Sequence, residues 1–166
     1  MGHFATMVTL TCPSKYHNTF ASSGDRNPKW DGSTPLDGQE YLNRTWKRIR
    51  AELHRLEIQP YGFRVAEPQH DATPHWHLML FLEKAHVDDF KRVITEYSLQ
   101  EDGDEAGAEE NRCDFVDIDY TRGSATGYIA KYISKGINGK EVGTDKDGSS
   151  APEASQRIEA WASCWG

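Results

Sequence analysis

No stretch of this chain approaches the ~20 consecutive apolar residues of a helix that crosses a membrane. Cysteine is scarce. Cys12, Cys113 and Cys164 are odd in number, widely separated and in no CxxC pair. That argues against a disulfide framework or a cysteine-based zinc site, and for inert thiols in a reducing compartment. The opening MGHFATMVTL lacks the charged-then-apolar layout of a secretory signal, so the cytoplasm is the expected location. Bases are outnumbered, with 19 Lys and Arg against 26 Asp and Glu. This balance gives no support to a nucleic-acid partner, but its distribution matters. Residues 100–110, QEDGDEAGAEE, hold Glu101, Asp102, Asp104, Glu105, Glu109 and Glu110 and no base. With that stretch set aside the chain is close to neutral. NRTWKRIRAELHR (43–55) and KYISKGINGK (131–140) are locally basic.

What is present is ordinary for a globular protein: 37% hydrophobic and 27% charged residues over 166 positions, enough for one domain with a core. HFATMVTLTCP (3–13) is rich in β-branched residues and stops at Pro13, which predicts a strand. Residues 14–37 are a long loop rich in turn formers. From Gly38 to Leu56 the apolar positions Leu42, Trp46, Ile49, Leu53 and Leu56 recur at helical spacing, with basic residues on the other face. YGFRVAE (61–67) and HWHLMLFLE (75–83) read as two strands joined by PQHDATP. HVDDFKRVITEYSL (86–99) predicts a second helix and RCDFVDID (112–119) another strand. GSATGYIAKYISKGI (123–137) and APEASQRIEAWASCWG (151–166) predict two more helices. The order β-α-β-β-α-β predicts an α+β fold, a ferredoxin- or RRM-like antiparallel sheet of four or five strands with flanking helices. The apolar C-terminal helix carries no polar tail, which suggests that 166 residues are one domain of a longer protein.

Two histidines break the apolar run at 75–82. Residues i and i+2 of a strand point to one face, so His75 and His77 project together while Trp76 and Leu78 face the other way. Two neutral imidazoles at that spacing can ligate one metal ion. Hydrogen bonding at a strand end is the alternative. Glu67 closes the preceding strand, and antiparallel pairing brings it opposite His75 if the register allows. His70, Asp71 and Gln69 in the connecting loop compete for the third place. Mixed imidazole and carboxylate donors suit Mn²⁺, or Mg²⁺ with retained waters, better than closed tetrahedral zinc.

A second pair stands in GYIAKYISKG (127–136). Tyr128 and Tyr132 are four apart on the predicted helix and share a face with Lys135, with Lys131 beside them. Ile129 and Ile133 supply a separate apolar stripe. A phenol is a poor nucleophile unless a cation or metal favours its ionised form. Taken alone, the tyrosines also fit an ordinary half-buried helix.

Together these stretches resemble the HUH endonucleases, and among them the phage replication gene A protein family of rolling-circle initiators. MVTLTCPSKYH (7–17) resembles the first motif, YGFRVAEPQHDATPHWHLMLF (61–81) the metal-binding motif, and GSATGYIAKYISKGI (123–137) the two-tyrosine motif. The resemblance implies a central sheet carrying the histidines and a C-terminal helix carrying the tyrosines. It implies a metal at His75 and His77 acting on single-stranded DNA at a replication origin, and a tyrosine that forms a 5′-phosphotyrosine link. The second tyrosine then attacks the regenerated origin, and the strand is resealed. Lys135 and Lys131 would stabilise phosphate charge. The implied setting is a bacterial cell carrying a phage or prophage, with host helicase and polymerase as partners. No phosphate-binding GxxxxGK[ST] loop is present, so strand separation must come from elsewhere.

Candidate DNA contacts are Lys15, Tyr16, Arg26, Lys29 and Trp30 in the first loop and Arg44, Lys47 and Arg48 on the first helix, where aromatics interleave with bases. The acidic stretch 100–110 would repel DNA and is expected away from them. Three other readings remain: a two-tyrosine HUH transposase, a non-catalytic single-strand binding module with an RRM-like sheet, and a metal hydrolase acting by water with the tyrosines merely structural.

Overall fold

The first strand, β1 (Phe4–Leu10), is central, and everything that positions the candidate site is built on it. The computed structural model describes residues 3–121 together with Gly127. After β1 come a short 3₁₀ turn at Ser14–Tyr16 and helix α1 (Pro35–Arg55). Strands β2 (Tyr61–Pro68) and β3 (Pro74–Leu82) form a hairpin. Helix α2 (Val87–Ser98), the single turn α3 (Ala108–Asn111) and strand β4 (Cys113–Asp117) complete the described order. The sheet is antiparallel throughout, in the order β2-β3-β1-β4. This is the predicted α+β fold with its β-α-β-β-α-β order. The helices expected over 123–137 and 151–166 lie, but for Gly127, outside the described residues.

Alternation along the strands divides the sheet into two faces. One buries Val8, Leu10, Trp76, Leu78, Leu80 and Leu82 against Leu42, Ile49 and Leu53 of α1 and Phe90, Val93 and Ile94 of α2. The other carries a smaller cluster of Ala5, Met7, Met79 and Ile118. The apolar stripe predicted for α1 is the one that packs, except that Leu56 is exposed because it lies at the helix C-cap.

Helix α1 starts three residues before the predicted Gly38. Thr34 is the N-cap, with Pro35 at the first helical position, and Asp37 completes a reciprocal capping box with Thr34. Such a cap contributes about 1 kcal/mol. Gly38 in that first turn permits a close approach: a Cβ there would lie 3.1 Å from Pro74 Cδ and 3.4 Å from Cys12 Sγ. The start of α1 is thereby held against the start of β3. On the edge strand, Gly62 has φ +154° and its backbone sits where a Cβ would collide with the Met79 carbonyl. No helix among the described residues is long and apolar enough to cross a membrane.

Candidate metal centre

β3 places His75 and His77 on the sheet face away from α1 and α2, because Trp76 between them is drawn into the helical core and is fully buried. The Trp76 indole Nε1 donates to Gln39 Oε1 at 3.0 Å, which satisfies its only donor. Antiparallel pairing sets Glu67 opposite His75 and Val65 opposite His77, while Thr9 of β1 lies opposite His77 on the other side. Opposed residues share a face, so the register brings Glu67, His75, His77 and Thr9 together.

Glu67 Oε2 lies 3.5 Å from His75 Nε2 and 3.3 Å from His77 Nε2. The two rings are edge-on, with centroids 4.6 Å apart. Thr9 Oγ1 lies 3.0 Å from His77 Nδ1, so the other nitrogen of that ring is the one turned to Glu67. Side-chain exposures of 13% for Glu67, 20% for His75 and 13% for His77 mark a site that is half enclosed yet reachable. Burial pushes the Glu67 carboxyl up, but hydrogen bonds and charge from His75 and His77 outweigh it and hold the group down at about 2. Glu67 is therefore a carboxylate at neutral pH.

These three residues are the only His/Cys/Asp/Glu group among the described residues whose ligand atoms all fall within 4.8 Å of one another. Glu67 Oε1 is buried and has no hydrogen-bond partner among the described residues. A carboxylate oxygen without a hydrogen-bond partner beside two imidazoles could hold a divalent cation, and two nitrogens with one oxygen would suit Mn²⁺ or a partly hydrated Mg²⁺.

The competing third ligands point elsewhere. His70 Nε2 donates to the Thr19 carbonyl at 3.1 Å, and its ring lies parallel to that of His17. Asp71 Oδ2 is 3.0 Å from His17 Nδ1, and its Oδ1 accepts from the Thr73 amide. Gln69 and Thr73 close the turn through their backbones.

Tyr128, Lys131, Tyr132 and Lys135 lie outside the described residues. Three of the expected DNA contacts pair with acids of the segment 101–105. Lys15 pairs with Glu101 and Asp102 at 3.0 Å each, Arg44 with Glu101 at 3.7 Å and Lys29 with Glu105 at 3.8 Å. Tyr16 is buried against Tyr41 and its hydroxyl donates to Glu101, which removes it as an open stacking surface. Arg26 lies over the Trp30 ring and Arg48 over Tyr97. Lys47 lines a separate cleft between α1 and the β2 edge.

The acidic stretch is thus set directly on the basic first loop, contrary to the expectation that it stays clear. Its anchor is Arg112. This buried guanidinium donates to the carbonyls of Ser98, Glu101 and Asp102 and to the Glu105 carboxylate. Charge that is unfavourable for DNA is held there because a buried cation must be neutralised.

Thr9 and the His17–Asp71 pair were not singled out by the sequence. Thr9 is one of two threonines on β1, whose partner register no local pattern announces, and His17 lies in a loop without periodicity.

Residues 1–140 match the family described as bacteriophage replication gene A protein (GPA). The chain belongs to that family. Similar members include the replication gene A protein of Escherichia phage 186, 44% identical over 99% of this chain and 24% of the relative. The replication protein of Haemophilus phage HP1 is 43% identical over 98% of this chain and 21% of its own length. A protein of Salmonella paratyphi A named as a probable replication endonuclease from a prophage-like region is 37% identical, with 98% and 21% covered. The chain therefore spans no more than about a quarter of these relatives. No solved structure matches it.

Proposed function

We propose that this chain nicks and rejoins single-stranded DNA at a replication origin through a covalent tyrosine intermediate, as the HUH part of a rolling-circle initiator. The observation that carries the reading is the convergence of Glu67, His75 and His77 on one sheet face, in a member of a replication family that also contains YIAKY at 128–132.

His75, His77 and Glu67 would hold Mn²⁺ or Mg²⁺, and such an ion supplies Lewis-acid polarisation of a phosphate and orients it. One of Tyr128 and Tyr132 loses its proton to solvent and attacks the scissile phosphorus. The bond from phosphorus to the 3′-oxygen breaks, leaving a 5′-phosphotyrosine and a 3′-hydroxyl that primes synthesis. Lys135, with Lys131 near it in sequence, offsets charge building on the phosphate oxygens. The second tyrosine repeats the attack on the regenerated origin, and the released 3′-hydroxyl displaces the first tyrosine to close a circle. The phosphodiester energy is retained in the protein–DNA bond, so cleavage and joining need no ATP. A host helicase and polymerase, in the cytoplasm of a phage-carrying bacterium, complete the cycle.

Incubating the protein with single-stranded origin DNA and Mn²⁺ should yield an adduct that survives denaturation. Tyr128→Phe and Tyr132→Phe should each reduce it and the double substitution should abolish it. An undiminished adduct in the double variant would show that the tyrosine assignment is wrong.

A further inference from the structure

A second concavity stands at the same end of the sheet as Glu67, His75 and His77. The first loop, the turn between β2 and β3, and the residues around α3 enclose about 300 Å³. Thr11, His17, Phe20, Gln69 and His70 line it. Thr11 continues β1 two residues past Thr9, and Gln69 and His70 follow Glu67 directly after Pro68, so the cavity is adjacent to the triad along two strands.

Its two imidazoles are fixed in advance. His17 is held by Asp71, whose side chain is fully buried, and His70 by the Thr19 carbonyl. The two imidazoles are parallel to within 9°, with centroids 6.4 Å apart. Phe20 is 43% exposed at the rim although it is a large apolar side chain. Fixed rings stack on a ligand without losing rotamer freedom, which lowers the cost of binding.

The electrostatics favour a neutral planar ligand over a phosphate. Arg112 also lines the cavity, but its guanidinium is spent on three carbonyls and on Glu105. Glu105 is met by that guanidinium and by the Ser14 amide at 3.0 Å. What remains open is aromatic surface and the side-chain amide of Gln69, with a donor and an acceptor side by side.

We propose that this cavity receives one unstacked nucleobase of the DNA strand, beside the phosphate held at the triad. The proposal rests on the strand-cleaving reading given above. Base stacking on aromatic side chains adds affinity with little dependence on sequence, and Gln69 sits where a base edge can be read.

The test compares binding of oligothymidylate with that of an abasic strand of equal length, at one salt concentration. The unsubstituted protein should prefer the base-bearing strand, and Phe20→Ala or His70→Ala should shrink that preference by about ten-fold. His70→Phe, which keeps a ring, should preserve it. An oligonucleotide carrying 5-iodouracil should photocrosslink to the peptides holding Phe20 or His70. A preference unchanged in both alanine variants, or crosslinks confined to other peptides, would overturn the pocket. Covalent adduct formation on origin DNA reads the nuclease proposal separately. Adduct without coupling to Phe20 or His70 defeats the pocket alone, and coupling without adduct defeats the strand-cleaving reading alone.

Discussion

Thr9 Oγ1 stands 3.0 Å from His77 Nδ1 across the β1–β3 pairing, and this contact turns His77 Nε2 toward Glu67. With His77 Nε2 as a metal ligand and so unprotonated, Nδ1 would carry the hydrogen and donate it to the threonine hydroxyl. Partners of this kind orient a ligand and raise its basicity. Thr9→Val is therefore expected to weaken Mn²⁺ binding by about ten-fold or more in calorimetry, and Thr9→Ser to restore it. Equal affinity in all three proteins would show that the hydroxyl does not set the ring.

The acidic loop makes an opposite kind of prediction. Glu101 and Asp102 hold Lys15, and Glu101 also approaches Arg44. If these cations reach phosphate when DNA binds, Glu101→Gln with Asp102→Asn should tighten single-strand binding. It should also steepen the fall of affinity with salt, by about 0.7 in log–log slope for each further phosphate that is neutralised. An unchanged slope would mean that Lys15 and Arg44 serve the fold and do not touch the strand.

Asp71 gives a pH dependence. Burial pushes its carboxyl up, but His17 pulls it further the other way, so it titrates below its ordinary 3.8. A depressed folded value contributes stability that is fully present above the unfolded value and is lost as pH falls through the folded one. Asp71→Asn should cost about 1–3 kcal/mol in urea unfolding near neutral pH. The difference from the unsubstituted protein should hold above about pH 5 and shrink below about pH 4. A gap that widened toward low pH would contradict the pairing.

Gly62 tests the hairpin that carries Glu67, His75 and His77. A Cβ at this position would collide with the Met79 carbonyl across the β2–β3 ladder. Gly62→Ala should destabilise the fold by several kcal/mol, or push β2 off β3 and weaken metal binding with it. A thermal midpoint within a degree or two of the unsubstituted protein would show that the edge strand yields freely.

The strands and their order along the chain were legible because 3–13 is rich in β-branched residues, turn formers separate the apolar runs of β2 and β3, and α1 and α2 keep their helical stripes. The pairing of His75 with His77 followed from a period of two. Placing Glu67 beside them needed the register of β2 on β3, a property of the folded hairpin that neither strand encodes alone. The position of the acidic loop was not legible for a similar reason. Charge alone puts it in solvent, and only the burial of Arg112 explains why it folds back on Lys15.

Glu67, His75 and His77 are proposed to hold the metal on which strand transfer depends. The direct test is the yield of covalent protein–DNA adduct on origin single strands as Mn²⁺ is titrated, in the unsubstituted protein and in His75→Ala, His77→Ala and Glu67→Gln. Saturable adduct is expected in the first. In the variants the adduct should be lost, or require about ten-fold or more additional metal, with the fold retained by circular dichroism. Adduct that forms equally well in the histidine variants, or at full yield in chelator, would contradict this role.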